Sequence, residues 1–218
     1  MTKTLLYIFF ILSMTGIAQK GYLSGYIITN NNDTVKGLIK DRKYISGVSS
    51  WQKIEFIDAL GRQFVYDPEE VKEYKRVGKP RYITLPIGVE VRKTFLEVSE
   101  DGPVMLLSVY RGSWGSAGNG ITIGAKKNES KERTEFYQTV KGLPVYSEND
   151  AESKAECFLQ FKNKPASLMQ WRPRDYKTTA KVFFSDNQEI MNLLNGDVLN
   201  EDDIFAIVKK YNQVKAEN

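Results

Sequence analysis

Two groups of carboxylates and one glycine-rich stretch are the residues whose types and spacing could do chemistry. Asp67, Glu69 and Glu70 lie together in "DPEE", and Glu97, Glu100 and Asp101 lie together in "EVSED". Two acids at a suitable separation are enough for glycoside hydrolysis, one as proton donor and one as base or nucleophile. Each group also has a structural role at hand. Asp67 before Pro68, with acids following, has the form of the cap, first position and acidic first turn of a short helix. Glu97, Glu100 and Asp101 fit the polar face of a strand and the tip of a hairpin. Neither group therefore assigns a catalytic residue.

The stretch "RGSWGSAGNGITIGAKK", Arg111 to Lys127, places five of the sixteen glycines within thirteen residues and ends on two lysines. A phosphate-binding loop needs the pattern G-x-x-x-x-G-K-[ST], whose lysine reaches the phosphates. Gly115 and Gly120 have that spacing, but Ile121 stands where the lysine belongs. The dinucleotide pattern G-x-G-x-x-G fails too, because the next glycine after Gly118 and Gly120 is Gly124. The residues after Gly120, "ITIG", alternate like a strand and do not open a helix. The stretch reads as a long connection, with Trp114 available either to cover apolar surface or to close over a ligand.

The chain contains no histidine and one cysteine, Cys157. Ser-His-Asp and Cys-His nucleophilic sites are excluded, and so are zinc sites built on imidazole or on several thiolates. Cys157 sits among apolar neighbours in "AECFLQF", the setting of a buried, inert thiol. A calcium loop needs acids at alternate positions, glycine sixth and glutamate twelfth; "NGDVLNEDD" lacks that order and reads as helix capping. No metal and no cofactor is assigned. Thirty-one basic and 27 acidic residues leave a formal charge of +4, and the two signs are mixed along the chain. That is a solvated surface without the basic stripe of a nucleic-acid binder.

These residues must be positioned by strands first and helices last. "GYLSGYIITNNNDTVKGLIK" predicts two strands around a turn at Asn30 to Asp33, and "WQKIEFIDALGRQFVY" a second hairpin turning at Asp58 to Gly61. "VRKTFLEVSEDGPVMLLSVYR" predicts a third, with Asp101-Gly102 at its tip. The intervening "DPEEVKEYKRVGKPRYITLPIG" is expected to be a short turn of helix or irregular chain, with an edge strand through Val71 and Tyr74 as the other reading. "RTEFYQTVKGLPVYS" and "AECFLQFKNKPASLMQWRP" are expected to be further strands.

From Arg174 onward the apolar residues fall at helical spacing: Val182 and Phe183, then Ile190, Leu193 and Leu194, then Ile204, Ile207, Val208 and Tyr211. Ser185 with Gln188 predicts a capping box, Gly196 a C-terminal cap, and Asn200 with its three following acids the start of a last helix ending near Lys209 and Lys210. The fold class is α+β: an antiparallel, curved or partly closed sheet built from hairpins over residues 19–172, including the glycine-rich loop 111–127. A C-terminal group of about three helices over 173–218 packs on that sheet.

The aromatic residues are numerous, 11 Phe, 12 Tyr and 3 Trp. Trp51, Trp114 and Trp171 are therefore the candidates for ligand or partner contact, since flat amphipathic rings stack on sugars and lipids; the same rings also fill β-rich cores. "MTKTLLYIFFILSMTGIA" has one lysine, an apolar run and small residues, the order of a secretory signal peptide over residues 1–18 cut between Ala18 and Gln19. Its apolar run is too short for a spanning helix of roughly 20 residues.

Three segments carry a resemblance: "GYIITNNNDTVKGLIKDRK", "TFLEVSEDGPVMLLSVY" and "KVFFSDNQEIMNLLNGDVLNEDDIFAIVKKYNQ". Together they resemble a family of exported, uncharacterised proteins of Bacteroidetes-type bacteria, with Asn32 here where that family has a glycine. The resemblance implies the compartment and the architecture and brings no catalytic residues. "DTV" is similar to the O-glycosylation acceptor signal of exported proteins in such bacteria, which makes Thr34 a candidate modification site. The expected function is that of an exported, non-enzymatic domain, soluble after signal cleavage in the periplasm or outer envelope, that binds a protein partner or envelope component. A small-ligand carrier for lipid or sugar is the alternative, and a histidine-free hydrolase using two carboxylates the third reading.

Overall fold

A computed structural model describes residues 21–41, 53–87, 92–110, 121–122, 130–140 and 154–217. Its strands are β1 (Leu23–Thr29), β2 (Thr34–Asp41), β3 (Ile54–Asp58), β4 (Gln63–Tyr66), β5 (Val71–Arg76), β6 (Arg81–Ile87), β7 (Arg92–Glu100), β8 (Val104–Tyr110), β9 (Ile121–Thr122), β10 (Lys154–Phe161) and β11 (Lys164–Trp171). The helices are α1 (Lys131–Thr139), α2 (Tyr176–Phe184), α3 (Gln188–Asn195) and α4 (Ile204–Glu217), the last entered through a 3-10 turn at Glu201–Asp203. One curved, open antiparallel sheet runs in the order β11-β10-β8-β7-β6-β5-β1-β2-β3-β4, with β9 pairing the start of β10. The class is α+β.

All three hairpins expected over residues 21–110 are present. At the first turn Asn32 takes a left-handed φ of 68°, and the Asn32 and Thr29 amides donate to Thr29 O and Asp33 O at 3.0 Å each. The asparagine run supplies a side chain that tolerates this conformation.

The segment expected to be a turn of helix or irregular chain is instead a fourth hairpin, β5–β6, and β5 lies in mid-sheet between β1 and β6. Asp67 to Glu70 form only a turn, with Glu70 N donating to Asp67 O. The spacing of the apolar residues explains the difference. Val71 and Tyr74 are three residues apart, a helical interval, yet both are buried in the same cluster. The register with β1 shifts between Ile28 and Thr29, which face Glu73 and Val71, so Lys72 is an extra residue in β5. Such a bulge resets the alternation of faces.

A second correction concerns "RTEFYQTVKGLPVYS", which contributes helix α1 where a strand was expected. Its β-branched and aromatic residues hide a helical interval, Arg133, Phe136 and Val140, all buried. Ser130 accepts from Arg133 N at 3.1 Å as its cap. The "AECFLQFKNKPASLMQW" hairpin forms as expected, as β10–β11.

The three C-terminal helices are present. Helix α3 is capped by Asn187 accepting from Ile190 N, and Ser185 ends α2 instead of starting α3. Gly196 caps α3, and Asn200 with Asp203 forms a capping box. Lys209 and Lys210 lie mid-way along α4, which runs on to Glu217.

Alternation divides the second half of the sheet. Val104, Leu106, Cys157, Leu159 and Trp171 face the helices and join Phe183, Phe184, Ile190, Leu194 and Ile207 in the largest core. Met105, Leu107, Val109 and Phe158 turn to the other face with Leu96 and Val98. In the first half, Ile27, Ile39, Ile54, Phe56, Val71, Tyr74 and Phe95 form a separate buried cluster.

There Gly25 stands directly across from Gly37. A Cβ on Gly37 would run into the Ile57 carbonyl and the Phe56 ring, so the strands approach too closely for any side chain. Gly37→Ala is expected to cost about 1–3 kcal/mol as overpacking. An unchanged urea midpoint would show that the β2–β3 approach yields.

Candidate functional site: a tyrosine and carboxylate row across the sheet

Strand pairing brings the polar residues of five strands into one row. Tyr74 on β5 is directly opposite Tyr82 on β6, which is opposite Glu97 on β7, which is opposite Ser108 on β8. The two tyrosine rings stack at 4.8 Å between centroids and 5° between planes, and Phe95 meets Tyr74 edge-on at 5.0 Å. Offset stacks of this kind add to the area their rings bury. At one end, Asp41 of β2 pairs with Arg76 and accepts from Tyr74 Oη at 3.2 Å. At the other, Tyr82 Oη donates to Glu97 Oε2 at 2.9 Å and the hydroxyls of Ser99 and Ser108 meet at 2.7 Å.

Burial controls the protonation of the row. It pushes Asp41 upward more than the Arg76 charge and the Tyr74 hydroxyl pull it down. It pushes Glu97 upward as well, against the single hydrogen bond from Tyr82. Tyr74 and Tyr82 are raised by burial and then by the neighbouring carboxylates, so both remain neutral. The row can accept and donate hydrogen bonds beside aromatic faces; the cations acting on it, Arg76 paired with Asp41 and Lys79 beyond, lie at its Asp41 end.

Because the fold disfavours its charged form, Glu97 weakens stability where it is ionised, above its raised folded pKa. That penalty vanishes as pH falls below its unfolded value, where it is protonated in both states. Glu97→Gln keeps an acceptor for Tyr82. It is therefore expected to be more stable than the parent at pH 7, with the difference closing near pH 4. A Tm difference that does not depend on pH would contradict this assignment of burial to Glu97.

The carboxylates noted in the sequence are placed elsewhere. Asp67 accepts from Glu69 N at 3.0 Å and Glu70 from Asp67 N at 2.9 Å, while Glu69 accepts from Lys93 N at 2.9 Å. Asp101 binds Lys162 at 2.9 Å and Arg81 at 2.8 Å. Burial alone would raise Asp101, but those two cations together bring it below the usual carboxylate range. Glu100 faces Lys209 at 3.9 Å and is raised by burial and by Asp101. Glu97 thus parts from Glu100 and Asp101 to join the row. Among the described residues no three of His, Cys, Asp and Glu cluster to hold a metal ion.

Trp171 is a core residue, 1% exposed, with its indole N–H donating to Glu201 O at 2.9 Å and its ring beside Tyr176 and Phe184. It offers no open face to a ligand. Trp51, Trp114 and all of the stretch 111–127 except Ile121 and Thr122 lie outside the described residues, as do Ala18 and Gln19. Thr34 is exposed as the first residue of β2, opposite Ile28.

Cys157 is fully buried, and burial pushes its thiol up to about 12. The native thiol is therefore expected not to react with a disulfide reagent at pH 8 and to react fully once the chain is unfolded in urea. Rapid native labelling would place Cys157 outside the core.

A second polar centre, silent in the sequence, ties α1 to the start of α4. Asp203 Oδ1 accepts from Arg133 Nη2 and from Tyr137 Oη, each at 2.6 Å, and Asp203 Oδ2 accepts from Asn200 N at 2.8 Å. The only advance signal was Asp203's place as the third acid of "NEDD". No helix among the described residues is long and apolar enough to cross a membrane. Compared with protein families, with curated proteins and with solved structures, the chain matches none.

Proposed function

We propose that the chain is an exported, non-catalytic interaction domain that binds a protein partner or another envelope component through its sheet and loops. One observation carries this reading. The acids that could work without histidine are each tied to a cation, a tyrosine or a main-chain amide, and the lone thiol is sealed in the core. Groups committed in this way position strands and turns, and their hydrogen-bonding capacity is spent on the fold. The signal-like order of residues 1–18 and the resemblance of the three segments support an exported compartment.

Crosslinking in native cells, followed by mass spectrometry of what is attached to the tagged chain, tests it. A reproducible protein crosslinked to sheet residues is the expected result. Hydrolysis of an envelope polymer that is lost in Glu97→Gln would overturn the non-catalytic reading. The half-buried Tyr82 ring beside the half-buried Glu97, with Tyr74 buried behind it, favours a second reading, a carrier of a small sugar or lipid, because an aromatic ring with one acceptor suits such ligands. Native mass spectrometry of the purified chain would then show a bound small molecule, and Tyr82→Ala would release it.

A further inference from the structure

The two end strands of the described sheet are built differently. Edge strand β11 begins with Lys164 and Pro165 and packs against α2. Lysine, proline and a covering helix are the usual means of preventing edge-to-edge pairing. Edge strand β4, "QFVY", has no charge and no proline, and no strand among the described residues pairs with its outer side. Its hairpin also carries Leu60, 77% exposed, and Val65, 44% exposed.

The free main-chain groups of β4 can be identified. Asp58 N donates to Arg62 O across the turn at 3.1 Å while Arg62 N donates to the Asp58 carboxylate at 2.9 Å, so the main-chain groups of this pair face each other across the β3–β4 ladder. Along an antiparallel ladder such pairs alternate with pairs that direct their groups outward. Phe64 and Tyr66 therefore bond to Phe56 and Ile54 on β3, whereas Gln63 and Val65 present their N–H and C=O groups to the open edge.

We propose that this edge pairs with the same edge of a second copy of the chain, antiparallel about a two-fold axis. One register uses every outward group: Val65 of each copy opposite Gln63 of the other, with four main-chain hydrogen bonds. Phe64 then faces Phe64 across the axis, extending the aromatic surface that Phe64 and Tyr66 already form by stacking at 5.9 Å. Arg62 comes opposite Tyr66 of the other copy, with its cation beside aromatic rings as it already lies over its own Phe64. Asp67 falls opposite Gly61, so no like charges meet. The edge is self-complementary in hydrogen bonds and in charge. A four-residue strand buries less than the about 1,200 Å² typical of a stable complex, so the dimer is concentration-dependent. This pairing does not rest on the partner reading above.

Sedimentation of the chain purified from Gln19 onward, from about 1 µM to about 1 mM, tests it. The mass should approach twice that of one chain. Val65→Lys puts a charge on the edge, and Val65→Pro removes an N–H that the β3–β4 ladder does not use. Either should weaken association at least about tenfold, which is about 1.4 kcal/mol.

Cysteine variants fix the register, because Cys157 is sealed from reagents. Phe64→Cys should form a disulfide with itself, since facing residues of a pair without mutual hydrogen bonds sit about 4.5 Å apart at Cα. The exposed Val65→Cys and Gln63→Cys should crosslink when mixed and far less alone, which keeps the test valid if Phe64→Cys fails to fold. A single-chain mass at every concentration overturns the pairing. A dimer that Val65→Lys and Val65→Pro leave intact, or Val65→Cys crosslinking with itself as readily as with Gln63→Cys, also overturns it. Recovery of an envelope partner by a chain that stays monomeric would remove the pairing and leave the interaction reading standing.

Discussion

Asn212→Ala is expected to lower the stability of the chain by about 3 kcal/mol, with an unchanged urea m-value. Asn212 lies on α4, 7% exposed, and its amide fills a place that a strand would otherwise take. Val104 N donates to Asn212 Oδ1 at 3.0 Å, and Asn212 Nδ2 donates to Val104 O at 2.8 Å. Val104 is the first residue of β8, and the pairing with β7 ends at Leu106 opposite Glu100, so β7 does not provide this pair of bonds. Truncation to alanine leaves a buried N–H and a buried C=O without partners, and each such group costs about 1–3 kcal/mol.

Asn212→Asp separates this cause from simple loss of packing. It keeps the acceptor for Val104 N and places a carboxylate against the Val104 carbonyl oxygen, so it is expected to do at least as much harm as alanine. Gly102 is part of the same arrangement, because a Cβ there would meet the Asn212 amide. A loss below about 1 kcal/mol in Asn212→Ala would show that water takes over both bonds.

The elements legible in the sequence were those in which local chemistry and tertiary demand agree. The turn at Asn30 to Asp33, the Asp101-Gly102 tip and the start of the last helix at Asn200 each arise from residues adjacent in the chain. The fourth hairpin was not legible, because the bulge at Lys72 gives Val71 and Tyr74 a helical interval, and the bulge exists only through pairing with β1. Helix α1 was concealed by β-favouring residues, whose preference gave way to the docking of Phe136 and Val140 on the core.

The row is harder to foresee, since Asp41, Tyr74, Tyr82 and Glu97 are brought together by registers across four strands that no local pattern encodes. The same holds for Arg133 and Asp203, which are 70 positions apart. Trp171 shows the opposite case: a residue type that suits a ligand face is used here to fill the core.

The Arg133–Asp203 pair gives the largest effect expected of any single substitution. The Asp203 side chain is wholly buried and the Arg133 side chain is 10% exposed. Asp203→Ala removes the partner of a buried guanidinium, the acceptor for Tyr137 and the capping bond to Asn200 N in one step. Breaking a buried pair from one side costs about 3–5 kcal/mol, chiefly because the remaining charge is left uncompensated. Arg133→Met added to Asp203→Ala removes that charge and fills its space with an apolar chain, so the double variant is expected to recover about 1–2 kcal/mol of the loss.

Hydrogen exchange supplies the second readout. Helix α1 comes shortly after the glycine-rich stretch and is held at its Arg133 and Tyr137 face by Asp203, so its amides should lose protection first in Asp203→Ala, ahead of β8 and β10. If α1 keeps its protection while global stability falls, Asp203 acts as the cap of α4 alone, and the packing of Phe136 and Val140 is sufficient to dock the helix.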